Sequence, residues 1–194
     1  MVTLVIMNPP RHSTSSDPVR PDQILDAFES LLLEVGPRKT TLDAVAERVR
    51  LSRSGVLHHF RSRRALVEAL FIRLERLVTK DVEKLHLHGD SAVEFYIRSS
   101  LEVDSAVERT IKAVSKLAMG QDAQAKITLQ NARSAWFEAL CSHVPNKDLV
   151  KLAMFIGDGM SYNVEMSEHP EQDEFVNPSS VDAVLSLVNS LRRD

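Results

Sequence analysis

The segment from Thr41 to Phe60, TLDAVAERVRLSRSGVLHHF, constrains the fold of this chain more than any other. It holds two short apolar stripes at helical spacing, with Leu51 in the break between them. Ser52, and Thr41 or its neighbour Thr40, carry side-chain oxygens that accept hydrogen bonds from the first turn of a helix, so each predicts a helix start. The segment therefore predicts two short helices joined by a tight turn, the arrangement known as a helix-turn-helix.

The amino end of the second predicted helix carries polar and cationic groups. In a helix-turn-helix, this end enters the major groove of DNA first. Arg53 can reach a phosphate or a guanine edge, and Ser54 can bind either a base or the backbone. Gly55 weakens the helix by about 1 kcal/mol relative to Ala. Its expected benefit is close approach of the backbone to DNA, and a flaw tolerated by packing is the alternative.

Charge is distributed unevenly along the chain. Residues 38–64 hold eight Lys or Arg against two acidic residues, whereas residues 65–194 hold fourteen basic and twenty acidic residues. The net charge of −3 for the whole chain argues against wholesale electrostatic binding to nucleic acid. A basic end on an acidic body instead predicts a localised phosphate-binding surface, with an uneven solvated surface as the alternative.

Composition favours a folded, all-α protein. The 194 residues suffice for one domain of ordinary size or two small ones. Apolar residues make up 43% of the chain and recur every three or four positions, and only six Gly are present. Cys141 is the only cysteine, which fits a reducing compartment and a cytoplasmic location. No apolar run approaches the roughly 20 residues of a membrane span, so no membrane partner is expected.

The chain divides into four predicted regions. They are a disordered arm at residues 1–20, a helix-turn-helix domain at 21–65, a connecting helix at 66–88 and a C-terminal helical domain at 89–194. The first helix is expected to begin near Pro21 and to stop at Gly36 and Pro37, and Ser62 is expected to cap the connecting helix. The later helices are predicted at about 92–103, 105–118, 123–144, 147–166 and 180–191.

The stretch from Gln23 to Phe71 resembles the TetR family of bacterial transcription regulators. Four blocks carry the resemblance in order: ILDAFESLLLEVG, TTLDAVAERV, LSRSGVLHHF and RSRRALVEAL. They cover about a quarter of the chain, and the last two are the most specific. The resemblance implies an all-α fold, in which an N-terminal three-helix helix-turn-helix DNA-binding domain is followed by a helical ligand-binding and dimerisation domain.

The resemblance also implies which residues contact DNA. They are Thr41, Arg53, Ser54, Gly55, Leu57, His58, His59 and Arg63. Thr41 is expected to hold a phosphate at the amino end of its helix, and Arg63 to clamp another. His58 and His59 are expected to meet the DNA backbone or the groove wall, although adjacent histidines on a helix are commonly just solvated.

Two positions depart from the family pattern. The family usually has Gly where Arg50 stands, at the end of the second helix. That position often needs a left-handed backbone, which costs other residues about 1–2 kcal/mol, so either the turn differs here or the cost is absorbed. The family also usually has an aromatic residue where Leu57 stands. Leu57 offers only apolar contact, for example to a thymine methyl group.

The family's C-terminal domain typically dimerises through its last two long helices. The residues assigned here to such an interface are Leu152, Ile156, Gly159, Val181, Val184, Leu185 and Val188. Gly159 is expected to allow close helix approach. Packing within the chain's own core is the alternative, because an apolar stripe alone cannot separate the two.

The same domain is expected to bind a small effector among the fifth to eighth helices. The wall residues assigned to this site are Phe95, Arg133, Trp136, Phe137, Phe155, Met160 and Tyr162, with plain core packing as the alternative. Asp158 and Glu165 would favour a cationic effector if they are buried. His86 and His88 suit a frayed helix end better than a metal site, and neither a metal nor a cofactor is expected.

The function predicted from these features is sequence-specific transcription regulation. The chain is expected to act as a homodimeric repressor that binds a double-stranded DNA operator and is released by a small-molecule effector. One alternative is a helix-turn-helix DNA-binding protein with no effector pocket. The other is a helical enzyme, which is disfavoured because no Ser/His/Asp order, nucleotide loop or paired-carboxylate pattern stands out.

Overall fold

The computed structural model describes residues 19–192, which fold into α-helices without any β-strand in that range. The helices are α1 Pro21–Lys39, α2 Leu42–Arg48, α3 Arg53–His59, α4 Arg63–His88, α5 Ala92–Ser99, α6 Ala106–Met119, α7 Ala123–Cys141, α8 Lys147–Met166 and α9 Pro178–Leu191. One 3-10 turn, Gly89–Ser91, joins α4 to α5. The all-α prediction is confirmed, while the predicted disordered arm lies outside the described residues except for its last two positions.

The first helices begin where their capping side chains are placed. Thr41, Ser52 and Ser62 each accept a hydrogen bond from the backbone N–H three residues later, at 3.2, 3.1 and 3.1 Å. Thr41 is therefore the cap of α2. Thr40 is buried and its hydroxyl donates to the carbonyl of Gly36 at 2.8 Å. Gly36 itself breaks α1, since its φ of 76° and ψ of 170° are not helical.

The first core fills the space between α1, α2, α3 and the beginning of α4. Phe28, Val45, Val56 and Leu66 are all fully buried there. Three residues of α6, Ala113, Val114 and Leu117, belong to the same cluster. The helix-turn-helix domain consequently shares its core with α6 and does not pack as an isolated unit.

The second core lies between α5, α7, α8 and α9, with Leu85 at the far end of α4 included. Because Leu66 and Leu70 belong to the first core, α4 spans both over its 26 residues. Val82 and Trp136 pack against both clusters. Helix α4 is therefore an element that the two cores share.

The predicted bounds of α8, residues 147–166, are the ones that the structure shows, whereas those of α5 differ from the structure. The prediction that α5 continues to residue 103 is wrong, because it ends at Ser99. The hydroxyls of Ser99 and Ser100 donate to the carbonyl of Tyr96 at 3.0 and 2.9 Å, and such bonds compete with continued helix. None of the described helices has the length and apolar character needed to cross a membrane.

Candidate DNA-binding surface and internal cavity

Helix α3 is anchored on one side and open on the other. Val56 is fully buried in the first core, and Leu57 and Phe60 on either flank are half-buried. The residues of α3 that are exposed are Arg53, Ser54, His58 and His59, and Gly55 is half-buried. One short helix thus presents four of the predicted DNA contacts to solvent, in the manner of a recognition helix.

The turn before α3 contains a left-handed residue, which decides between the two alternatives that the sequence left open at Arg50. Arg50 has a φ of 57°. The N–H of Leu51 donates to the carbonyl of Ala46 at 2.9 Å, and the N–H of Arg50 donates to that of Glu47 at 3.1 Å. These are the paired hydrogen bonds of a Schellman motif, which usually has Gly at the left-handed position. The turn is therefore retained, and the chain absorbs a cost of about 1–2 kcal/mol at Arg50.

Arg53 is held across the two helices of the motif. Its guanidinium pairs with the carboxylate of Asp43 in the first turn of α2 at 3.0 Å, and both side chains are more than half exposed. Exposed pairs of this kind contribute only about 0–1 kcal/mol, so the guanidinium can exchange Asp43 for a DNA group. Sequence reasoning did not assign Asp43 this role, although an acidic residue in a first helical turn beside Thr41 is visible in the sequence.

Gly55 is not required by packing inside the chain. A Cβ added at this position would lie 3.4 Å from Cβ of Leu51, which is an ordinary contact. Internal sterics therefore do not explain the glycine, and close approach to DNA stays a prediction. Thr41 is exposed at the amino end of α2, where its hydroxyl already accepts from the N–H of Ala44.

Arg63 braces the beginning of α4 against the end of α1. Its Nε–H donates to the carbonyl of Thr40 at 2.8 Å, and its Nη2 donates to that of Pro37 at 2.9 Å. The guanidinium also lies 5.8 Å from the centre of the Phe28 ring. An arginine has five N–H donors, so these bonds leave others available. The predicted phosphate contact stays a prediction, and the structural role is one that the sequence did not indicate.

A cavity of about 530 Å³ lies in the C-terminal body between α4, α5, α6, α7 and α8. This volume is typical of sites for small organic molecules. Phe95, Arg133 and Trp136, three of the predicted wall residues, line it. The other four lie elsewhere: Phe155 and Tyr162 are each 63% exposed, Met160 is buried in the second core, and Phe137 is half-buried against that core.

Several polar wall groups of the cavity were not assigned from the sequence. The indole N–H of Trp136 donates to a carboxylate oxygen of Asp81 at 2.9 Å. Burial raises the pKa of Glu108, and the neighbouring carboxylates of Asp158 and Asp81 add to the effect. Burial also raises the pKa of Tyr96, so its hydroxyl stays protonated. The sequence signal for Asp81 is its place on the apolar stripe of α4, four residues after Leu77 and four before Leu85.

The residues predicted at a dimer interface differ in their exposure. Val181, Leu185 and Val188 are buried in the second core of their own chain, Val184 and Ile156 are half-buried, and Leu152 and Gly159 are exposed. On α9 the large apolar residues that are exposed are instead Leu187 and Leu191.

The exposed side of α8 carries a continuous apolar stripe. It consists of Leu152, Phe155, Gly159, Tyr162 and Met166, which recur every three or four residues. A Cβ added at Gly159 would meet no atom within 4 Å. At Gly157 it would lie 2.7 Å from the hydroxyl of Ser100, so within the chain Gly157 is the residue that allows close helix approach.

Within residues 19–192, His, Cys, Asp and Glu side chains form no group of three or more that could hold a metal ion. Two histidines of this range form a pair, in which Nδ1 of His86 lies 3.1 Å from Nε2 of His143. His88 stacks on the ring of Phe95, with the ring centres 4.1 Å apart. Cys141 is half-buried and forms no disulfide.

Comparisons with known proteins agree with this arrangement. Residues 24–70 match the sequence model of a family described as bacterial regulatory proteins, tetR family. The fold is similar to that of GusR from Salmonella enterica, with a TM-score of 0.60 and 17% identity over 90% of this chain and 95% of that one. A transcriptional regulator from Rhodococcus sp. Rha1 gives a TM-score of 0.58 and 18% identity over 90% and 96% of the two chains.

A search of curated proteins for similar sequences found no match. The family match covers α1 from Ile24, the whole helix-turn-helix and the first eight residues of α4. The similarity to the two solved structures also covers the C-terminal helices. Because the identities are low, it is a similarity of fold alone. The sequence of the N-terminal domain is thus that of the tetR family of bacterial regulatory proteins, and the fold of the chain is similar to that of the two solved structures.

Proposed function

We propose that this chain is a cytoplasmic homodimeric repressor, without enzymatic activity, whose operator binding is released by a small effector in the cavity. The observation that carries the proposal is the course of α4. Its beginning is bonded to the DNA-binding domain through Arg63, and its middle lines the cavity through Asp81. Helix α4 therefore contacts both the proposed effector site and the DNA-binding domain.

DNA recognition is assigned to the exposed side of α3 and the amino end of α2. Arg53 gives up Asp43 for a base edge or a phosphate, while Ser54 and Gly55 approach the bases. Thr41 holds a phosphate, with the further contacts assigned to Leu57, His58 and His59 as predicted from the family resemblance. Arg63 keeps its bonds to Pro37 and Thr40 and turns a remaining donor to the backbone.

Dimerisation is assigned to the exposed apolar sides of α8 and α9. The stripe on α8 and the pair Leu187 and Leu191 on α9 are apolar and open to solvent, and contiguous surface of this kind is typical of an interaction site. Gly159 in the middle of the stripe leaves room for a second helix. Four such helices, two from each chain, form a bundle with twofold symmetry.

Effector release follows from differential binding. An effector lowers operator affinity only if it binds more tightly to a state in which the two recognition helices no longer fit successive major grooves. A differential of about 1–3 kcal/mol gives release of roughly 5–150-fold. The shared helix α4 and the contact of α6 with the first core provide the path between the two sites.

Selection from a library of random duplex DNA with purified protein tests the proposal. We expect an enriched inverted repeat whose half-sites lie about one helical turn, roughly 34–36 Å, apart. Arg53→Ala is expected to weaken binding by about 1–3 kcal/mol and to relax preference at one position of each half-site. Arg76→Ala changes an exposed arginine far from α3 and serves as the control. A library that shows no enrichment at low salt would contradict the proposal.

A further inference from the structure

Glu108 is a half-buried carboxylate in the wall of the cavity. Within residues 19–192 its side chain has no hydrogen-bond or ion-pair partner, although its backbone N–H donates to Ser105. Lys112, one turn further along α6, pairs with Glu165 at 3.3 Å and donates to the carbonyl of Val103. A carboxylate withdrawn from water without a counter-charge is costly unless a ligand supplies one.

The charges of the remaining cavity wall do not compensate for Glu108. Arg133 is already paired with Asp158. Asp81 accepts one hydrogen bond, from the neutral indole of Trp136, and so remains a second uncompensated carboxylate. Lys80 and Lys84 are exposed, so solvent screens them. The less exposed part of the cavity therefore presents an excess of negative charge.

The other wall groups are aromatic and aliphatic. Trp136, Tyr96 and Phe95 provide ring faces and edges, and Ile111 and Met154 extend the apolar surface. Aromatic faces attract cations as well as apolar groups, and Trp is the strongest of them. Negative charge together with aromatic walls matches a molecule that has a cationic head and an apolar body.

We propose that the cavity binds a small organic cation, with Glu108 as its counter-ion and Trp136 as part of its aromatic wall. The inference rests on the proposed effector site and gives it a chemical class. Glu108 lies on α6 and Asp81 on α4, so a cation held by both carboxylates draws together the two helices that contact the first core. This is the change expected to reach the DNA-binding domain.

Three benzyl compounds of similar shape but different charge distinguish the effect of charge on binding from that of shape. Benzyltrimethylammonium is a cation, neopentylbenzene is its neutral isostere, and phenylmethanesulfonate is an anion of similar size. Trp136 is the only tryptophan of the chain and lies in the cavity wall, so its fluorescence reports occupancy directly. We expect the cation to bind the full-length protein about tenfold or more tightly than the isostere, because it pairs with the carboxylate and lies against the aromatic wall, and we expect the anion to bind most weakly.

Variants at two carboxylates identify which side chain causes the preference for the cation. Glu108→Gln keeps the shape of the side chain and is expected to reduce the preference for the cation severalfold, with Asp81 still present, while leaving binding of the isostere unchanged. Glu102→Gln removes an exposed carboxylate from the same cavity and is expected to preserve the preference. Glu108→Asp retains the charge and provides a second variant if Gln impairs folding.

The outcomes separate the two proposals. A preference for the isostere or the anion, or one unaffected by Glu108→Gln, overturns the cation site even if an operator is found. Equal weak binding of all three probes also overturns it. Conversely, a cation that binds through Glu108 in a protein that selects no DNA supports the site and rejects the repressor. With an operator in hand, the cation is expected to lower its affinity about fivefold or more.

Discussion

Arg50 illustrates how one residue can depart from a family pattern without changing the backbone. The Schellman bonds at the end of α2 require a left-handed residue, and an arginine with a φ of 57° supplies it. The side chain is exposed, so its strain is a matter of backbone conformation rather than packing. The turn that orients α3 is thus specified by hydrogen bonds of neighbouring residues, and the left-handed residue follows from them.

Replacing Arg50 by Gly is expected to raise the free energy of unfolding by about 1 kcal/mol, because Gly adopts the left-handed backbone without strain. Urea denaturation measures the change. The matched control is Gly36→Ala, at a φ of 76° where an added methyl group would meet no atom within 4 Å, and it is expected to lower stability by about 1–3 kcal/mol. Loss of stability in Arg50→Gly would show that the guanidinium has a stabilising contact.

Arg63 provides a second prediction for a single residue. Arg63→Ala is expected to lower the free energy of unfolding by about 1–3 kcal/mol, because the buried Thr40 loses the donor to its carbonyl. Arg61→Ala removes an exposed neighbour and is expected to change stability by less than about 0.5 kcal/mol. If both variants are equally stable, Arg63 acts on DNA alone, and a reduced salt dependence of binding would then identify its phosphate contact.

At the level of helices, a buried ionic cluster joins α1, α4 and α6. The carboxylate of Glu29, with a side chain only 5% exposed, pairs with Arg73 at 2.9 Å. It also accepts a hydrogen bond from the hydroxyl of Thr110 at 3.2 Å. Arg73 makes a second pair with Asp26 at 2.7 Å. The register of α6 on the DNA-binding domain therefore depends on directional bonds as well as apolar packing.

Breaking this cluster from one side is expected to be strongly destabilising. Arg73→Met leaves Glu29 buried without its main counter-charge, so we expect a loss of about 3–5 kcal/mol in the free energy of unfolding. Arg76→Met, one turn further along α4, changes an exposed arginine and is expected to have an effect within about 0.5 kcal/mol. Chemical denaturation compares the two. Similar small losses would mean that Arg109, whose Nε lies 3.9 Å from a carboxylate oxygen of Glu29, and water suffice for Glu29.

For the whole molecule, the proposed dimer depends on surface that the isolated chain leaves open. Phe155→Glu is expected to convert the dimer to a folded monomer, since the side chain is 63% exposed and its replacement disturbs no core. Sedimentation measures the mass, and operator affinity is expected to fall because one recognition helix is lost from each complex. Ile72→Glu changes a residue that is 65% exposed on α4 and is the control. A dimer that persists in Phe155→Glu would move the interface to another surface.

Much of the architecture could be predicted from local patterns. The caps at Thr41, Ser52 and Ser62, the break at Gly36 and the extent of α8 all depend on interactions within a few residues of chain. The exposed polar residues of α3 follow from the same helical spacing, because Val56 must face inward. Local hydrogen bonding and periodicity can be recognised in a sequence, and here they were sufficient to predict the helix-turn-helix and the all-α fold.

Other features depend on which helix faces meet, and no local pattern determines that. Both Val181 and Leu187 belong to apolar spacings of α9, yet only the first is buried, because α8 and α5 pack on that side. Similarly, Gly157 rather than Gly159 meets a neighbouring helix. Glu108 and Asp81, which are 27 positions apart in the chain, line one cavity only because α4 and α6 are brought together by the cores around them. Sequence alone determined the DNA-binding motif through short-range bonds, whereas long-range packing decided the cavity and the exposed apolar faces.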